Sequence, residues 1–160
     1  MAIQSKLVEY THEGTVFEGY MAWDDAIKDP RPGVLVSHAW SGRSPFEEER
    51  ARRLAGLGYV GFALDVYGKG KRGTSKEENS ALMTPLVENR AMLQGRLLIA
   101  LQTMRAEAEV DAAHTGIIGF CFGDCAPWTW RAPGSTSLGR SPSTVCPPPP
   151  AIRRRSRPRC

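Results

Sequence analysis

The sequence predicts an α/β fold in which a mostly parallel sheet follows an N-terminal antiparallel hairpin. Three short apolar runs, at 33–38, 59–64 and 115–120, have the length and continuity of strands that are buried on both faces. Helical segments separate these runs, and this alternation is typical of parallel βαβ units. Two segments of alternating polarity flank a turn at 12–14 and precede the first run, which predicts the hairpin.

The remaining elements follow in chain order. Residues 3–10 and 15–22 form the two hairpin strands, because apolar and polar side chains alternate in both. Residues 45–57 are acidic early and basic later, an order that suits a helix dipole. A Gly- and Lys-rich loop spans 65–76. Residues 86–108 then form a long amphipathic helix with apolar side chains at a rough i, i+4 spacing.

The composition places the chain among ordinary globular proteins. Its 160 residues correspond to one domain, and 41% are hydrophobic and 24% charged. We expect no secretory signal in the first ten residues and no membrane span, because no long apolar run is present. Cys121 is the only cysteine before residue 124, which favours a reducing, cytoplasmic location over a disulfide framework.

The sequence Gly119-Phe120-Cys121-Phe122-Gly123 directly follows the third apolar run. This is the G-x-C-x-G form of a nucleophile elbow, in which flanking glycines permit a sharp strand-to-helix turn. A thiolate at the start of a helix is favoured by the dipole, which lowers its pKa. We therefore predict that Cys121 is a catalytic nucleophile, against the alternative of an inert core cysteine.

The chain up to about residue 123 resembles the dienelactone hydrolase family, an α/β-hydrolase family. The resemblance rests on 33–40, 58–70 and 118–123. It implies an α/β-hydrolase fold, hydrolysis of esters or lactones, no metal or cofactor, and a triad in the chain order Cys, Asp, His. His38 stands at about the position where well-studied members carry a Glu that interacts with the resting Cys. This departure argues against dienelactone itself as the substrate.

Four further residues are candidates for the site. The backbone N–H of Phe122 would supply half of an oxyanion hole. His38 and Ala39 end the first apolar run, where the second oxyanion donor and the acyl pocket are expected; the alternative for His38 is a strand-end histidine bonded to backbone. Arg90 could hold a substrate carboxylate, as an Arg does in the family, or could be a solvated residue at a helix end.

Three other titratable residues are assigned no catalytic role. Asp65 ends a strand, but its Asp-Val-Tyr-Gly context is typical of a structural turn and it precedes the nucleophile. His12 and His114 are expected at the surface.

Residues 124–160 differ in composition from residues 1–123. They hold eight of the 12 prolines, seven Arg and one acid, so we expect a disordered tail after an N-terminal hydrolase part. A one-base shift of the codons after Gly123 permits an amphipathic helix and a later strand. We therefore expect a frameshift near Gly123–Asp124, which would leave the sheet incomplete at the C-terminus; the alternative is a natural disordered tail.

The expected activity depends on whether the tail supplies the remaining triad residues. No His follows His114 and the only acid after Asp111 is Asp124, so the thiolate would lack its base and its orienting carboxylate. We expect an inactive or very weak hydrolase. One alternative is a non-catalytic fragment whose basic tail binds nucleic acid. Another is a redox thiol, for which Cys125 would be the nearest resolving partner.

Overall fold

The structure is a computed structural model that describes residues 2–120. The five strands of the described part are β1 Ile3–His12, β2 Thr15–Asp24, β3 Arg31–Ser37, β4 Val60–Ala63 and β5 Val110–Gly119. Its three helices are α1 Pro45–Gly56, α2 Lys76–Glu88 and α3 Arg90–Arg105. Among residues 2–120, none of these helices has the length and apolar character that crossing a membrane requires. Cys121, Phe122 and the tail 124–160 lie outside the described residues.

The strands form a single mixed sheet in the order β1-β2-β4-β3-β5. β1 pairs antiparallel with β2 over ten residue pairs, from Ile3↔Asp24 to His12↔Thr15. β2 also pairs antiparallel with β4, whereas β3 pairs parallel with both β4 and β5. The predicted hairpin leading into parallel βαβ units is therefore confirmed.

The two faces of the sheet pack against different helices. Neighbouring residues of a strand point to opposite faces, so Leu35 and Val36 of β3 belong to different apolar clusters. Leu35 packs with α3 side chains in the larger cluster, which includes Leu93, Leu97, Leu101 and Met104. Val36 packs with α1 in the smaller one, with Ala51, Ala55, Tyr20 and Ala63. α1 and α3 thus cover opposite faces and complete a three-layer α/β arrangement.

α1 lies directly against β4. A Cβ added at Gly61 would collide with the backbone of Ala51, so only glycine allows this approach. The helix begins at a capping box, in which the buried carboxylate of Glu47 accepts from the N–H of Ser44 at 2.9 Å. Leu57 caps the other end, which agrees with the helix predicted over 45–57.

The single helix predicted over 86–108 is wrong in its extent. The helix α3 begins at Arg90, and a separate helix, α2, covers 77–85, a segment for which the sequence predicted no element. Pro85 removes a backbone donor near the end of α2. Asn89 then caps α3, its Oδ1 accepting from the N–H of Met92 at 3.1 Å, so a new helix begins at Arg90.

β5 is less buried than its apolar sequence predicted. In the described part of the chain it has one neighbouring strand, β3, and Ile118 is 37% exposed. β5 also starts earlier than predicted, because Val110 and Asp111 pair with Arg31 and Pro32 ahead of a register shift. An edge position explains why its side chains are incompletely covered.

Candidate active site

The carboxyl ends of β3 and β5 meet at one edge of the sheet. Ser37 pairs with Gly119 as the last partners in the parallel ladder, so the two strands end side by side. Neighbouring strands are about 4.8 Å apart. β4 lies on one side of β3 and β5 on the other. Open α/β sheets bind ligands in the crevice outside such a reversal of strand order.

His38 is the first residue of the loop that follows β3, here called the β3 loop (residues 38–44). Its ring is fully buried. Nδ1 lies 2.6 Å from the carbonyl oxygen of Ala39, and Nε2 accepts from the N–H of Val66 at 3.3 Å. Because a carbonyl only accepts and an N–H only donates, these contacts assign the proton to Nδ1. The ring therefore joins the β3 loop to the loop after β4, the β4 loop (residues 64–75).

The His38 imidazole is favoured in its neutral form. Burial lowers the pKa of His38 below its ordinary value, although the bond to Ala39 and the nearby carboxylates of Asp65 and Glu47 oppose this. Arg43 adds to the lowering. The alternative stated for this residue, a strand-end histidine bonded to backbone, matches this geometry. A substrate-binding role for His38 stays a prediction.

Tyr67 joins the same two loops in the opposite direction. Its hydroxyl, on the β4 loop, donates to the carbonyl oxygen of Trp40 in the β3 loop at 2.8 Å. The Tyr67 ring lies against the imidazole of His38, with centroids 4.7 Å apart. The N–H of Gly73 adds a third link by donating to the carbonyl of Ser41 at 3.0 Å. The two loops therefore form one continuous structure beside the end of β5.

Asp65 has the structural role that its sequence context predicted. Its Oδ1 accepts from the backbone N–H groups of Tyr67 at 2.9 Å and Gly68 at 3.1 Å, which shapes the β4 loop. Its backbone is bound twice by the Tyr10 hydroxyl, which donates to the Asp65 carbonyl at 2.6 Å and accepts from its N–H at 2.9 Å. Burial raises the pKa of Tyr10. This buried network fixes the loop to the hairpin.

Two backbone donors of the β3 loop differ in their partners. The N–H of Ala39 donates to Oε1 of Glu47 at 3.4 Å, a long contact that links the loop to the start of α1. The N–H of Trp40 has no hydrogen-bond acceptor within residues 2–120. Sequence reasoning did not single out Glu47 or Tyr67. The Ser44-x-x-Glu47 spacing was a signal for the capping role, whereas nothing local pointed to Tyr67.

Arg90 is half-buried at the first position of α3. Within the described residues it forms no ion pair or side-chain hydrogen bond, and its role in substrate binding stays a prediction. Arg96, further along α3, does reach the loops. It donates to the carbonyl of Val66 at 2.6 Å and lies over the ring of Phe17.

Phe120, the last described residue before Cys121, packs against α1. Its ring meets the ring of Phe46 edge-on, with centroids 5.1 Å apart. The guanidinium of Arg50 lies over Phe46 at 4.7 Å and over Phe120 at 5.9 Å. These contacts fix the approach of the chain to the predicted nucleophile.

The other two histidines lie away from the carboxyl ends of β3 and β5. His114 is exposed, and its Nδ1 lies 2.7 Å from a carboxylate oxygen of Asp111. His12 ends β1 and is half-buried against Gly95 of α3, not fully at the surface as expected. Residues 2–120 contain no group of three side chains arranged to hold a metal ion.

A comparison with protein families decides the classification. The dienelactone hydrolase family matches residues 17–132, which is most of the chain. The chain belongs to this family. The solved structures that it resembles agree. One named "m3DLH" is 36% identical with a TM-score of 0.78, and the match covers 81% of this chain and 54% of that one.

Two more relatives carry informative names. A dienelactone hydrolase-like promiscuous phosphotriesterase, P91, from metagenomic libraries is 33% identical, with a TM-score of 0.77 and the same coverage of 81% and 54%. A protein of Methylorubrum extorquens named "Putative carboxymethylenebutenolidase" is 27% identical over 105 residues, 64% of this chain and 36% of that protein. The chain thus spans about half the length of the m3DLH and P91 structures. The likeness confirms the α/β-hydrolase fold and the hydrolase family.

Proposed function

We propose that this chain is the N-terminal part of a cysteine hydrolase that acts on esters or lactones through Cys121. The observation that supports the proposal is the Ser37↔Gly119 pairing, since it puts Gly119, the first residue of the elbow sequence, beside the end of β3 in a member of this family. The thiolate attacks the carbonyl carbon, and collapse of the tetrahedral intermediate breaks the C–O bond and expels the alkoxide, which takes a proton from water. Water then hydrolyses the thioester, which releases the carboxylic acid and returns the thiol.

The oxyanion of that intermediate needs two backbone donors. We assign one to the N–H of Phe122 and the other to the β3 loop. Ala39 already donates to Glu47, whereas Trp40 does not have an acceptor within residues 2–120, so Trp40 is the better-placed donor of that loop. Arg90 is proposed to receive the carboxylate of an acidic substrate.

We propose that none of the three histidines of the chain serves as base for Cys121. Both ring nitrogens of His38 contact backbone groups. His114 lies five residues before Gly119, the last residue of β5, which is about 17 Å along the strand, and His12 lies four strand positions from β5, about 19 Å away. We therefore propose that this chain forms an acyl-thiol without efficient turnover. Loss of triad members commonly lowers kcat by about 10⁴-fold or more.

The remaining assignments concern the whole chain. We propose that residues 1–123 form the hydrolase part, that residues 124–160 lie outside it as a disordered tail, and that the protein is cytoplasmic with a small-molecule substrate. The rival assignment, nucleic-acid binding by the tail, predicts an affinity for DNA that falls steeply with salt. Fluorescence anisotropy of labelled duplex DNA at 50 and 200 mM salt tests whether the tail binds nucleic acid. We expect no binding.

The decisive experiment is acylation of the intact 160-residue chain by p-nitrophenyl acetate. We expect release of about one equivalent of p-nitrophenolate, followed by a much slower phase, and one acetyl group on Cys121 in the peptide map. A phosphotriester is a useful second reagent, since P91 is named for that activity.

Two variants control this experiment. Cys121→Ser should lose the burst, whereas Cys146→Ser, a change in the Pro/Arg-rich segment, should keep it. Equal acetylation of all four cysteines, or no acetylation of Cys121, would overturn the assignment of the nucleophile. Robust multiple turnover that disappears in Cys121→Ser would instead show that a base is present and would overturn the proposed inactivity.

A further inference from the structure

We propose that His38 and Tyr67 are positioning residues that aim the oxyanion donor of the β3 loop. The inference rests on the proposed function, because the donor acts only if Cys121 is acylated. Together the two side chains form what is here called the His38–Tyr67 clasp. His38 reaches from the β3 loop to Val66, and Tyr67 reaches back from the β4 loop to Trp40.

The first bond of the clasp fixes a peptide plane. In a planar trans peptide the C=O and N–H point in opposite directions. The carbonyl of Ala39 and the N–H of Trp40 belong to the same peptide, and His38 Nδ1 holds that carbonyl at 2.6 Å. The bond therefore aims the Trp40 N–H away from His38, and holds it free of any acceptor within residues 2–120.

The second bond fixes the next peptide plane. Tyr67 donates to the Trp40 carbonyl at 2.8 Å, so the peptides on both sides of Trp40 are held by side chains. Tyr67 is itself fixed, because its N–H donates to the buried carboxylate of Asp65. Gly42, at a φ of +94°, lets the loop turn close beside the ring, where a Cβ would lie 3.3 Å from Tyr67. This restraint from both sides is what a preorganised oxyanion donor requires.

Two reactions of the Cys121 thiol distinguish the orientation of the oxyanion donor from the accessibility of the thiol. Acetylation by p-nitrophenyl acetate passes through an oxyanion, whereas alkylation by iodoacetamide is a direct displacement at carbon and does not. Removing one oxyanion donor typically lowers a rate by about 10²–10³-fold, and we expect Tyr67→Phe, which only loosens the donor, to slow acetylation by about 10-fold. Alkylation should stay within about 2-fold. Tyr59→Phe, at an exposed tyrosine, should change neither rate.

Two variants of His38 test the first bond. The side-chain amide of His38→Asn can donate near the Nδ1 position, and that of His38→Gln reaches the Nε2 position instead. We expect His38→Asn to retain more acetylation than His38→Gln, with similar alkylation in both. ¹⁵N NMR of the unmodified chain should report the Nδ1-protonated tautomer.

The outcomes are distinct. Tyr67→Phe that slows both reactions equally, or neither, would overturn the inference and leave the proposed function intact, as would an Nε2-protonated His38. No acetylation of Cys121 in the parent chain would overturn the proposed function and with it this inference. Circular dichroism of each variant identifies a change that only unfolds the protein.

Discussion

Strands β3 and β5 are neighbours that lead into the same site, yet they are held very differently. β3 lies between β4 and β5, and its Leu35 and Val36 are fully buried, one on each face. β5 pairs only with β3 within the described residues, and Ile118 remains 37% exposed. The half of the site that follows β3 is also restrained by the His38–Tyr67 clasp and by Glu47.

The difference in packing between β3 and β5 means that the two halves of the site are stabilised by different parts of the chain. The half proposed to donate to the oxyanion is held by contacts within the first 105 residues, including the hairpin, α1 and α3. The half proposed to bear the nucleophile follows β5, which has no strand on its other side among residues 2–120. A stable β3 side can therefore coexist with a weakly held β5, and substitutions at matched positions can measure the two separately.

The largest contrast is expected from truncation of matched apolar side chains. Leu35→Ala removes a fully buried side chain from the main core, so the free energy of unfolding should fall by about 2–5 kcal/mol. Ile118→Ala should lower it by less than about 1 kcal/mol, because that side chain is partly solvated. Urea denaturation followed by circular dichroism measures both. Equal losses would show that β5 is as well packed as β3.

A smaller contrast is expected from the same substitution at two glycines. Gly61→Ala forces a methyl group into the backbone of Ala51, and overpacking of this kind lowers stability by about 1–3 kcal/mol. Gly116→Ala, in β5, meets nothing within 4 Å and should be neutral or slightly stabilising. Thermal unfolding of the two variants compares them directly. A destabilising Gly116→Ala would indicate a close neighbour on β5.

The smallest effect is expected from a change of pH, which should alter the free energy of unfolding through His38 in the β3 loop. Burial lowers the pKa of His38 in the folded chain. Below the ordinary value of about 6.5, the unfolded chain binds a proton that the folded chain does not, so stability is full above that pH and falls as pH drops through it. Asp65, Glu47 and Arg43 face this ring and modulate the fall. His38→Asn should reduce the difference between the urea midpoints at pH 7 and pH 5. An unchanged difference in this variant would show that His38 does not titrate between these pH values.

Much of the fold was predictable from local pattern. The hairpin, β3, α1 and β4 were located within a few residues, because alternation, apolar runs and charge order are properties of each segment alone. α2 was missed because its first turns are polar and follow a Gly/Lys loop. Ser75 with Glu78 three residues later was the signal that could have identified its start, since Ser75 Oγ accepts from the Glu78 N–H at 3.2 Å.

The site was predictable only in part, for a physical reason. The elbow sequence and the end of β3 are local features, and the pairing of β3 with β5 puts Gly119, the first residue of that sequence, beside Ser37. The bonds made by His38 join it to Val66, 28 residues away, and Tyr67 contacts Trp40 across 27 residues. Contacts at such separations depend on the folded topology and leave no periodic signal in either segment. The exposure of β5 is of the same kind, since it depends on which strands lie beside it.

The buried residues of the two clusters also become available at different times as the chain is made. All buried residues of the smaller cluster have been synthesised once Ala63 is added, whereas the larger cluster waits for α3, which ends at Arg105. At about 5–20 residues per second, that interval lasts about 2–8 s on the ribosome. During it, Leu35, Phe62 and Leu64 present an uncovered apolar surface. A nascent chain paused between these points is therefore the species in which we expect chaperones to recognise this sheet.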